Sequence, residues 1–134
     1  MNNFVAYHST EVMGYEYRLG KGDLVFLSKK TRTYLEKSIG CDVWVVTGTR
    51  DASRKMVYRL AAVYQPDRVE KYQDRFQVCG KRGHQFKPPV VLNGLAWFDV
   101  LLREQNRFSF GFSRIQSPAI VAALNRLRSP AAER

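Results

Sequence analysis

Apolar and polar residues change rhythm along this chain of 134 residues. The first two-thirds is written in short runs rich in β-branched and aromatic side chains. The last third is spaced by threes and fours. Residues 4–7 (FVAY) and 24–28 (LVFLS) read as strands. Residues 42–48 (DVWVVTG) hold four consecutive apolar side chains, which predicts a central strand buried on both faces. A polar basic loop over 49–55 then leads into a long strand from Met56 to about Tyr64, with Pro66 as its break. A turn at 73–75 and a short strand at 76–80 (FQVCG) follow. Residues 81–89 read as a basic loop and 90–93 as an extended stretch. Among these runs, Ser9 or Thr10 caps a single helical turn that Gly14 ends. Two glycines make a turn of residues 18–23, and a short helix over 33–38 stops at Gly40.

Helical spacing takes over after Asn93. That residue stands as an N-cap before GLAWFDVLLREQN, in which Leu95, Phe98, Leu101 and Leu102 share one face. Residues 107–115 (RFSFGFSRI) alternate strictly. The alternation predicts a strand with Phe108, Phe110 and Phe112 on a core face and the small Ser109, Gly111 and Ser113 on the other. Ser117 caps a last helix with Pro118 at its first position and Ile120, Leu124 and Leu127 as its buried stripe. Residues 129–134 read as a flexible tail behind one domain, 1–128. Strands early and helices late predict an α+β fold: a curved sheet or small pseudo-barrel of about five to six strands with flanking short helices.

Composition excludes some classes. A hydrophobic content of 45% is enough for a core. No apolar run reaches the length of a membrane-spanning helix, and the first residues lack a signal-peptide pattern. Cys41 and Cys79 stand far apart without a CxxC, and His8 and His84 lack zinc-ligand spacing. A cytoplasmic protein with reduced thiols, no metal and no cofactor is the expectation. Charge changes the picture more. Twenty-two Lys and Arg against 12 Asp and Glu give +10, a balance that favours a polyanionic partner, nucleic acid first.

The chemistry-bearing motifs favour binding over catalysis. No GxSxG, Walker A, GxGxxG or HExxH occurs. His8 and His84 make an acid–base pair only if the fold brings them together. The SKKT stretch, 28–31, places hydroxyls beside ammonium groups, an arrangement water tolerates as a solvated basic turn. The cations gather in three groups: Lys29, Lys30 and Arg32; Arg50, Arg54 and Lys55; Lys81, Arg82 and Lys87. Each group adjoins a strand, and together on one rim they would grip phosphates. Aromatics are interleaved with them, among them Tyr7, Tyr15, Tyr17, Trp44 and Phe86, and aromatic faces stack on bases. Trp97, on a helix flank, reads as packing. Trp44, if buried, needs a partner for its indole N–H.

The strings FVAYHS, GKGDLVFLS, DVWVVTG and NRFSFGFSRIQS together resemble the PUA-like superfamily. Within it the chain is similar to the EVE-like domain, of the kind fused to HNH nucleases in modification-dependent restriction. GDLVF at 22–26 is its most EVE-like piece; where that pattern has a Trp in the first strand, this chain has Phe4 and Tyr7. The resemblance implies a concave pocket for a base, a modified cytosine such as 5-methylcytosine, flipped from duplex DNA and held by stacking and by hydrogen bonds to its edges. Carried over by position, the pocket comprises Tyr7, His8 and Ser9 at the end of the first strand, Met13 and Tyr15 as a lid, Ser28, Trp44, and Ser109 and Ser113 from the last strand. The implied role is that of a non-catalytic DNA reader in restriction or defence, with a fused or separate nuclease. Two alternatives stay open: a PUA-like domain for structured RNA, and a small ribonuclease or amidohydrolase of a related branch working through residues 29–31 or His8.

Overall fold

The two most apolar runs of the chain lie side by side. In the computed structural model, which describes residues 2–13 and 23–128, β1 (Asn3–Ser9) pairs in parallel with β3 (Asp42–Arg50). A parallel pair needs a long crossover. Here it carries α1 (Thr10–Met13), β2 (Leu24–Ser28) and α2 (Arg32–Glu36). The chain returns antiparallel to β3 as β4 (Met56–Gln65), and later as β7 (Arg82–Val91) beside β4. The short β8 (Phe112–Arg114) covers the other edge, giving the order β7-β4-β3-β1-β8. β2, β6 (Arg75–Gly80) and β5 (Arg68–Tyr72) form a second sheet in the order β2-β6-β5. The fold is α+β, and the described strands form two open sheets, not a closed barrel.

Alternation along β1 and β3 divides the core into two layers. Phe4, Ala6, Val43 and Val45 face the small sheet, where Leu24, Phe26, Val69 and Val78 meet them with Leu35 of α2. Val5, Trp44 and Val46 face α3 (Ala96–Glu104) and α4 (Pro118–Arg128), whose Phe98, Leu101, Ile120 and Leu124 complete the second layer. β3 is thus buried on both faces, as four apolar residues in a row predict. Each such side chain withdrawn from water contributes about 1.5–3 kcal/mol.

Several elements depart from the sequence expectation. β5 and most of β7 are strands where no strand was expected. β7 is an edge strand that tolerates Pro88 and Pro89 because its register jumps from Leu60↔Val90 to Ala62↔Gln85, leaving residues 86–89 outside the ladder. Asn93 does not cap α3, which begins after Leu95. Its amide extends the sheet instead: Oδ1 accepts the Tyr58 N–H at 2.8 Å and Nδ2 donates to the Met56 carbonyl at 3.0 Å.

Candidate functional site

β1 outruns its edge partner. β8 pairs only with Phe4, Val5 and Ala6, and one more bond, Tyr7 N–H to the Gly111 carbonyl at 2.7 Å, ends the contact. At that point a cleft of about 720 Å³ opens between the ends of β1 and β2, the first residue of β6, and residues 107–111.

The wall made by residues 106–111 is where the predicted alternating strand fails. Asn106, Arg107 and Phe108 all take left-handed backbone angles, with φ of 48°, 54° and 63°, and Gly111 follows at 74°. Side chains at three successive left-handed positions are unusual, because each costs roughly 1–2 kcal/mol. The consequence is that three phenylalanines of one expected face go to three places. Phe108 turns inward and stacks on Tyr7, rings 4.8 Å apart and 11° from parallel, with Tyr58 and Phe98 behind it. Phe112 enters the layer between the sheets, 5.7 Å from Phe4 and 6.0 Å from Phe26. Phe110 lines the cleft and remains 47% exposed. Buried Gln105 braces this turn: its amide donates to the Arg114 carbonyl at 3.1 Å, and its Oε1 accepts the Ser113 hydroxyl.

Tyr7 is fixed just as closely. Its phenol lies over Gly48, where a Cβ would stand 1.9 Å from the oxygen, so only glycine leaves room. Burial, with Tyr58 nearby, pushes the phenol pKa up to about 12 against the opposing effect of a Ser9 hydrogen bond. Tyr7 is therefore a neutral aromatic wall at ordinary pH. Opposite it, the Ser28 hydroxyl accepts the Lys30 N–H at 3.1 Å and sets the turn that carries Lys29 and Lys30. Arg75 reaches Met13 Sδ at 3.5 Å and stands 4.0 Å from the exposed Asp74.

The lining thus combines aromatic Tyr7, Phe26, Phe108 and Phe110, hydroxyls of Ser9, Ser28 and Ser109, and the cations Lys29, Lys30, Arg75 and Arg107. Among the described residues, no Asp or Glu lines it. The arrangement suits a flat ligand bearing negative charge. No described group of three or more His, Cys, Asp or Glu side chains is placed to hold a metal ion.

Of the residues carried over from the resemblance, Tyr7, Ser9, Met13, Ser28 and Ser109 meet in this cleft, with Lys29 and Lys30 beside them. Tyr15 lies outside the described residues, as does Tyr17 and most of the 18–23 turn. Three others fall elsewhere. Trp44 is fully buried in the helix layer, its indole N–H donated to Asn3 Oδ1 at 2.9 Å. His8 follows Tyr7 by one residue, so alternation turns it to the opposite face of the sheet, where it is 3% exposed. Ser113 is engaged by Gln105.

The basic groups do not share one rim. Parallel pairing of Ser9 with Gly48 puts Arg50, Arg54 and Lys55 at the cleft end of the sheet, with Arg50 neutralised by Glu11 at 2.6 Å. Arg82 pairs with Gln65 at the other end, and Lys81 adjoins it. Lys87 sits in the bulged stretch of β7, and Arg32 is spent on the Val69 carbonyl at 2.7 Å and the Phe76 ring. His8 and His84 lie three strands apart on opposite sheet faces, since His84 aligns through Val63 and Trp44 with Val5. They form no acid–base pair.

Arg75, Arg107 and the cleft-lining position of Phe110 escaped the sequence reading. Antiparallel pairing of Ser28 with Phe76 brings Arg75 beside Lys29, but that register is a tertiary fact. Gly111 was the visible hint that the alternation of 107–115 would not run through. No helix among the described residues is long and apolar enough to cross a membrane. Compared with known proteins, the chain matches no family model, no curated protein and no solved structure.

Proposed function

We propose that this chain is a non-catalytic nucleic-acid reader that captures a base, a modified cytosine flipped from duplex DNA, in the cleft beside Tyr7. One observation carries the reading: an exposed phenylalanine, three hydroxyls and four cations line a single cleft with no described acid among them. Its volume of about 720 Å³ lies within the range of roughly 300–1,000 Å³ typical of pockets for drug-sized ligands, room for a flipped base with its sugar. Stacking on Phe110 supplies sequence-tolerant affinity, and the serine hydroxyls supply contacts to the base edges. The net charge of +10 supplies attraction for the backbone. The PUA-like and EVE-like resemblance of the strand strings supports the same role, in modification-dependent restriction or defence, with cleavage left to a nuclease partner. The separation of His8 from His84 weighs against a ribonuclease built on that pair.

The test is a titration, at low salt, of matched DNA duplexes with and without 5-methylcytosine or 5-hydroxymethylcytosine, and of RNA of the same sequence. The reading expects the modified DNA to bind tightest and Phe110→Ala to weaken it by about 1–3 kcal/mol, the worth of one stacked base. Equal affinity for modified and plain DNA sinks the modified-base claim, and tighter RNA binding moves the chain to the structured-RNA alternative.

A further inference from the structure

The cations of the cleft are placed differently from three arginines elsewhere in the molecule that acids hold. Arg50 is paired with Glu11, Arg128 with Asp42, and Arg68 with Asp23, Asp67 and Glu70. In the cleft, Lys29, Lys30, Arg75 and Arg107 converge, and the one carboxylate near any of them is Asp74, at 4.0 Å from Arg75 and pointing into solvent, among the described residues. The β2–β6 ladder ends at Ser28↔Phe76, so Lys29 and Arg75 are the next residues out on either strand and both line the cleft, a like-charge proximity that costs stability when nothing neutralises it. Arg107 adds a second cost, since it is held in the left-handed region at φ 54°. Two unfavourable features at one cleft are what a site built for an anion presents.

The aromatic surfaces border the same space. Phe110 follows Arg107 by three residues, and Ser28, which accepts the Lys30 N–H, keeps its hydroxyl proton to donate. A space of about 720 Å³ takes a whole drug-sized ligand, not a single ring. We infer that the cleft binds a nucleotide as a unit, the heterocycle against Phe110 and Tyr7 and its own phosphate among Lys29, Lys30, Arg75 and Arg107. The ligand class is a nucleoside monophosphate, free or as one residue of a strand. The base half of this inference rests on the nucleic-acid reading; the phosphate half does not.

Calorimetric titration at 50 mM salt tests it with the deoxynucleoside 5′-monophosphates, including that of 5-methylcytosine, each against its own nucleoside and against inorganic phosphate. For at least one base, the nucleotide is expected to bind ten-fold or more tighter than either the nucleoside or phosphate. Raising the salt to 200 mM should weaken the nucleotide and leave the nucleoside unchanged. Arg75→Ala and Lys29→Ala should each erase most of the difference at a melting temperature equal to or above the parent's. Equal binding of nucleotide and nucleoside, phosphate binding as tightly as the nucleotide, or no nucleotide binding overturns the inference. The two readings fail separately. Modified-duplex preference with equal nucleotide and nucleoside binding sinks only this one, and nucleotide selectivity without duplex binding sinks only the DNA reader.

Discussion

The two ends of the five-stranded sheet are made of the same ingredients and put them to opposite uses. At the end where β1 and β3 begin, Trp44 is fully buried, the Arg128 guanidinium lies 5.0 Å from its ring, and Asn3 takes its indole N–H. The charge beside Trp44 is closed: Asp42 binds Arg128 at 2.8 Å and accepts Gln65 Nε2 at 2.5 Å. At the end where these strands finish, the rings of Tyr7, Phe108 and Phe110 line one cleft with four cations, and no described acid lines it. An aromatic ring with a cation is therefore no functional signal in itself. What sets the cleft apart from the anchor is that no described acid supplies the counter-charge there.

The largest expected difference between the ends is in stability. Trp44→Ala removes a fully buried indole and leaves Asn3 and Arg128 without their ring, and large aromatic truncations of this kind cost about 3–5 kcal/mol. Against a total of roughly 5–15 kcal/mol for a typical domain, that lowers the urea midpoint severely. Truncating Phe110, half-exposed at the cleft, should leave the midpoint within about 0.5 kcal/mol of the parent, as surface substitutions do. If the two variants lose stability equally, the division into anchor and site is wrong.

Gly48→Ala sharpens the comparison, because it attacks the cleft through packing. The new methyl would sit 1.9 Å from the Tyr7 phenol oxygen. The ring cannot simply swing away while it stacks on Phe108. Overpacking costs about 1–3 kcal/mol, and the phenol is pushed toward water. Its titration reports the move. The buried neutral phenol, with its pKa raised to about 12 from 10.0, stabilises the fold at all pH below 10 and loses that contribution as pH rises through 12. In the variant, the phenolate absorbance step returns toward pH 10, and the alkaline loss of stability between 10 and 12 shrinks because the folded and unfolded values converge. A variant that loses stability while its phenol still titrates near 12 shows that the sheet, not Tyr7, absorbed the methyl.

How much of this was legible follows from where the information lies. Residues 42–48 declared a strand buried on both faces, since only that environment asks for unbroken apolar character, and β3 is one. Helix faces were equally plain: Phe98 and Leu101, Ile120 and Leu124 are buried. The cleft region was legible where it depends on strand ends, as with Tyr7, Ser9 and Ser28. It was not legible for Trp44 or His8, because alternation names two faces without saying which one meets the ligand. The string RFSFGFSRI misled most. Period two is a local preference, and here Phe108 earns more in contact with Tyr7, Tyr58 and Phe98 than a regular strand would give it. Arg75 depended on a cross-strand register that no local pattern encodes.

The smallest effect is also the one that best separates building a site from stabilising a fold. Arg107→Gly relieves a left-handed residue, worth about 1–2 kcal/mol, against roughly 0.5–1 kcal/mol of added chain entropy in the unfolded state. The net expectation is a gain of between about 0 and 1.5 kcal/mol, read as a higher urea midpoint, together with weaker nucleotide and DNA binding through loss of the guanidinium. Arg107→Ala loses the same charge and keeps the strain, so it should match the glycine variant in binding and fall below it in stability. Asn106→Gly, at φ 48°, relieves the neighbouring position and keeps the cation. It also gives up the Asn106 Nδ2 bond to Ser109 Oγ at 3.0 Å, and Asn tolerates the left-handed region better than Arg, so its expected result is near-parental stability with parental affinity. Should Asn106→Gly bind as poorly as Arg107→Gly, the shape of the turn and not the charge of Arg107 holds the ligand.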